Sequence, residues 1–139
     1  MSRKLMYAAG LLSCFSCDAS FQSAAARKPW RGSQQGVEHL AGMVRATPLD
    51  IVAQVMLYFF GETSGAAERL FGTYDEFLAI LDDPDRRAHF KSLAPSQADD
   101  DPEYQHARTL GTRFQDALTE LFFVADTPVR ELTIRYGVF

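Results

Sequence analysis

Apolar positions recur along most of this chain at the three- and four-residue spacing of helices. In "VEHLAGMVRA" (37–46), Val37, Leu40, Ala41 and Val44 share one side of a predicted helix. "TPLDIVAQVMLYFFG" (47–61) follows with a strong start: Thr47 can cap, Pro48 suits the first helical position and Asp50 favours the positive helix end. Ile51, Val52, Val55, Met56, Phe59 and Phe60 form a broad apolar face there, which places this helix in the core, and Gly61 supplies its stop. "SGAAERLFG" (64–72) predicts a short helix between Ser64 and Gly72, and Thr73 with Glu76 has capping-box spacing for another. Asp83-Pro84 and Asp101-Pro102-Glu103 mark two further starts, with a polar loop at 94–100 between them. Thr127-Pro128 opens a last helix, whose tail "LTIRYGVF" also alternates like a strand, leaving 132–139 open between the two. Almost nothing else reads as strand, so the expected class is all-α.

The longest pattern is "DPEYQHARTLGTRFQDALTELFF" (101–123). At about 100° per residue from His106, Ala117, Leu110, Leu121, Phe114 and Leu118 fall successively within an arc of about 120°. His106 borders that apolar arc. Two readings follow: a partly buried imidazole like many others, or a side chain that faces a ligand.

Composition and charge narrow the class. The chain has 139 residues, one domain's worth, and with 47% hydrophobic and 23% charged residues it is neither disordered nor fibrous. A net charge of −4 gives no reason to expect nucleic acid. Residues 1–37 carry Arg3, Lys4, Arg27, Lys28 and Arg31 against Asp18 alone, so that segment is basic and the remainder acidic. Residues 1–36 therefore read as an N-terminal extension, and 37–139 as the helical domain. "SRKLMYAAGLLSCFSC" has the basic start and short apolar run of a secretion signal, "LLSC" resembles a lipoprotein cleavage box, and the acid-poor stretch also suits an organelle transit peptide. The chain is expected to be cytoplasmic, or secreted or organellar if 1–36 is such a targeting segment. Its apolar run is too short and mixed to span a bilayer. Cys14-x-x-Cys17 has no second cysteine pair with which to complete a zinc site.

The order of features from 37 to 139 resembles the front half of a globin, most closely the neuroglobin-like branch. A first helix passes through the short break "RATPLD" into a second ending in "LYFF". "AAERLFGTY" looks like the short third helix running into the corner loop, and "DPEYQHARTLGTRFQDALTEL" resembles the E helix. The resemblance implies haem as cofactor and O₂ or another small gas as ligand. It puts His106 in the distal-histidine place, on the distal side of the iron, and Phe71 at the corner phenylalanine that packs on the haem. Met56 and Leu110 would line the pocket.

The chain departs from that pattern in three ways. The stretch from Phe71 to His106 is longer than a globin uses there, and Trp30 comes too early for a tryptophan on the first helix. "TPVRELTIRYGVF" looks like the approach to the F helix, yet the sequence ends at Phe139, before a proximal histidine would appear. A globin fastens iron through that imidazole, so haem binding by this chain is expected to be weak or absent. The exposed proximal face is expected to seek a protein partner or a second copy. The competing reading is a haem-free, all-helical interaction or sensor module. His39 and His89 read as surface histidines, although His89, beside Phe90, could swing inward as a substitute ligand.

No catalytic signature emerges, and no enzyme activity is expected. The chain has no glycine-rich phosphate loop, no Ser/His/Asp order and no nucleophilic-cysteine context. Asp83 and Asp101 in the acidic runs each precede a proline, where capping accounts for them.

Overall fold

The computed structural model describes residues 1–18, 34–60, 65–125 and 127–137, with the side chains at 58–60 and 66 outside the description. The stop at Gly61, the start at Ser64, Trp30 and the side chains of Phe59 and Phe60 all lie outside the described residues. Among the described residues every regular element is helical, so the fold class is all-α. The helices are α1 (Ser2–Phe15), α2 (Gln34–Met43), α3 (Pro48–Phe60), α4 (Gly65–Asp82), α5 (Pro84–Ser92), α6 (Pro102–Thr119) and α7 (Pro128–Tyr136). A 3-10 turn at Pro95–Asp100 precedes α6, and a π turn at Glu120–Val124 follows it. They fall into two compact units, Gly65–Leu118 and Ser2–Ser64 with Thr119–Phe139.

In the second unit, α1 buries Leu5, Ala8, Ala9, Leu12 and Phe15, a stripe at helical spacing, and packs on α3. The small Ala8 and Ala9 let the two backbones approach, and α3 contributes Ile51, Val52, Val55 and Met56, all buried. Thus residues 2–15, which composition marks as an extension, form a helix packed within this unit. Thr47 and Asp50 form the expected cap reciprocally: the Asp50 amide donates to Thr47 Oγ1 at 3.2 Å, and the Thr47 hydroxyl donates to Asp50 Oδ2 at 2.7 Å. Helix α2 differs from the expectation. It begins three residues earlier, and Val37 and Val44 are exposed rather than part of a buried stripe. At the far end, the Ala125 amide donates to the Glu120 carbonyl at 2.9 Å, the five-residue step of a π turn. α7 packs against this turn and buries Val129, Leu132 and Thr133, so 132–136 is helix and not strand.

In the first unit, α4 runs without interruption through Gly72 and Thr73, where the sequence suggested a stop and a new cap. One glycine costs a helix only about 1 kcal/mol, too little to end one whose following turns are held by packing. Leu70, Thr73 and Ile80 are buried along one stripe, and the Thr73 hydroxyl donates to the Arg69 carbonyl at 2.6 Å instead of capping. Opposite them, α6 buries Leu110, Phe114 and Ala117. The Tyr74 ring lies 5.8 Å from that of Phe114, and Arg113 reaches both Glu76 carboxylate oxygens at 3.2 Å.

Among the described residues no single helix is long and apolar enough to cross a membrane. Gln34–Met43 with Pro48–Leu57, bent by 114°, meets that length and composition only as a pair.

Candidate functional site

The α4–α5–α6 arrangement of the first unit is set by two aspartate–proline steps. Asp83 is the single residue between α4 and α5, and its Oδ1 accepts from the amides of Asp85 (2.9 Å) and Arg86 (3.1 Å). Asp101 does the same for α6, its Oδ1 accepting from the Tyr104 amide at 2.8 Å. Its other oxygen, Oδ2, sits 2.7 Å from His89 Nε2 on α5. Arg86 Nε adds an ion pair with Glu103 Oε2 at 3.3 Å. The Tyr104 amide foremost, and then His89, hold the Asp101 carboxyl below the usual aspartate range. These polar contacts clasp α5 against the first turn of α6.

Beside the clasp lies a half-open cleft of about 560 Å³. Phe77, Ile80 and Leu81 of α4 form one wall, and Phe90 and Leu93 form another. Pro95 and Ala98 of the 3-10 turn and Ala107 of α6 complete the apolar lining. Its polar lining residues are Arg87 and Tyr104. A shallower recess on α4, lined by Asp75, Leu78, Ala79 and Asp82, shares Leu81 with it.

The four residues singled out by the globin resemblance lie elsewhere. His106 is exposed on α6, Phe71 is half-buried within the continuous α4, and Leu110 is fully buried. These three belong to the first unit, whereas the fully buried Met56 belongs to the second. None lines either cleft. An iron-facing imidazole above a flat apolar slot is the chemistry haem requires. Within the first unit, an imidazole in solvent, a phenylalanine in mid-helix and a leucine already sealed by its neighbours do not fit that group.

The other two histidines have defined partners. His89, instead of swinging inward as a substitute ligand, is on α5 and bonded to Asp101, with its ring 5.8 Å from that of Phe90. His39 Nε2 is 2.7 Å from Ser16 Oγ, and burial pulls its pKa below the ordinary imidazole value. Cys14 is exposed and Cys17 half-buried, both as thiols. Burial first, then the neighbouring Cys14, pushes the Cys17 thiol up, which makes it a poor nucleophile. No group of three or more His, Cys, Asp or Glu among the described residues is placed to hold a metal ion.

Sequence reasoning missed the cleft because α5, "PDRRAHFKS", is the most polar helix of its unit. The signal was small: Phe90 and Leu93, three apart, are the large apolar positions of an otherwise mostly polar stretch. No protein-family model, curated protein or solved structure matches the chain.

Proposed function

We propose that the chain is a haem-free helical module of the sensor or interaction kind, with the cleft of the Gly65–Leu118 unit as its binding surface. One observation carries this reading: an apolar recess of small-molecule size lies next to the polar contacts that clasp α5 to α6 and is not filled by the protein's own side chains. Closing it would bury Phe77, Phe90 and Leu93, and the short, clasped α5 restrains that collapse. The lining contains no nucleophile with a base beside it, which favours binding over turnover.

The test pairs two titrations of the purified chain. Hemin, followed by absorption under reducing conditions with and without CO, is expected to give a broad, non-saturating spectrum. Anilinonaphthalene sulfonate, followed by fluorescence, is expected to saturate and to weaken severalfold in Phe90→Asp. A sharp one-to-one Soret band that shifts with CO and is altered in His106→Leu would instead establish the globin-like, haem- and oxygen-binding alternative. Dye binding indifferent to Phe90→Asp would remove the cleft from the account.

A further inference from the structure

We infer that the cleft takes an amphipathic monocarboxylate, a medium-chain fatty acid in its simplest form, with the apolar tail between α4 and α5 and the carboxylate on Arg87. The inference rests on the reading of the cleft as a binding surface and adds the chemistry of what it binds.

Arg87 is the charged residue of the lining. The other arginines whose contacts are defined in this unit are engaged: Arg86 with Asp83 and Glu103, Arg108 with Asp99, Arg113 with Glu76. The Arg87 guanidinium makes no ion pair or side-chain hydrogen bond among the described residues, although acidic side chains outnumber basic ones in this unit. A planar, permanently charged fork at the edge of an apolar recess fits the two oxygens of a carboxylate. The Tyr104 hydroxyl, on the opposite helix and likewise without a partner among the described residues, offers a second donor. Phe77, Ile80, Phe90 and Leu93 present a continuous apolar surface for a flexible chain. A cationic head would meet Arg87 with like charge. A wholly apolar ligand would leave the guanidinium at the rim unused.

Decanoate, decan-1-ol and decyltrimethylammonium share a tail and differ in the head. Each is titrated into the isotopically labelled full chain, with the backbone amides of Leu93, Tyr104 and Ala107 as reporters of the cleft. Decanoate is expected to move these amides saturably and to bind about tenfold more tightly than the alcohol. In Arg87→Gln, an exposed position whose loss leaves the fold intact, decanoate is expected to fall to the level of the alcohol while the alcohol is unchanged. If alcohol or ammonium binds the cleft as tightly as decanoate, or if Arg87→Gln leaves the preference intact, the carboxylate assignment is overturned and the cleft reading stands. If no ligand moves the cleft amides, both fall.

Discussion

Leu110 and His106 stand one turn apart on α6, both within or beside the arc that the helical spacing marks as apolar, yet Leu110 is 0% exposed and His106 is exposed. Replacing each by alanine separates their roles. Leu110→Ala removes three carbons from a sealed site, a transfer loss of about 2.4 kcal/mol at roughly 0.8 kcal/mol each. The residual cavity raises the total to about 3–5 kcal/mol, because the surroundings of a fully buried side chain relax only partly. That is a large share of the roughly 5–15 kcal/mol by which a domain is stable. His106→Ala removes an exposed side chain and installs a better helix former, so its effect is expected within about 0.5 kcal/mol of zero. Urea denaturation followed by circular dichroism at 222 nm (roughly the helical minimum, where the signal tracks hydrogen-bonded turns) gives both values from the midpoint and slope. A His106→Ala cost above about 2 kcal/mol would refute the placement of the imidazole in solvent. A Leu110→Ala cost below about 1 kcal/mol would refute the sealed core beneath it.

Gly72 has nothing within 4 Å of where a Cβ would sit, and lies inside α4. Gly72→Ala is therefore expected to stabilise by about 0.5–1 kcal/mol in the same denaturation assay, whereas a corner at this position would make it destabilising. Asp101 has a folded pKa below its ordinary value of 3.8. Its contribution to stability is fully present above that ordinary value and is lost as pH falls through the lower folded one. Urea midpoints measured between about pH 5 and about pH 2 should fall less steeply in Asp101→Asn than in the parent chain; equal slopes would contradict the clasp. Burial lowers the pKa of His39, so its proton resonances are expected to titrate below 6.5. The associated stability is present above 6.5 and is lost as pH falls through the folded value; a midpoint at or above 6.5 would refute the burial of this imidazole.

The local grammar of the fold is legible in the residues alone. The Thr47-Pro48, Asp83-Pro84, Asp101-Pro102 and Thr127-Pro128 steps each begin a helix in the structure, because proline fixes φ and gives up an amide that the first turn cannot bond. The buried stripe of α6 and the buried face of α3 follow from apolar spacing alone. The remaining features depend on contacts between helices. Gly72 reads as a stop, but the packing of Leu70 and Ile80 on either side carries the helix across it. Helical spacing could place His106 beside an apolar arc, but not say whether another element covers that edge. Residues 2–15 look like a detachable leader because basic and apolar composition says nothing of a partner, and it is the fold that sets their stripe chiefly against the face of α3. The cleft is the clearest case. Phe77, Arg87 and Tyr104 belong to three separate helices, and their meeting depends on the one-residue turn at Asp83 and on a bond between His89 and Asp101, twelve residues apart. No local pattern encodes that pairing, because it exists only once the helices have folded together.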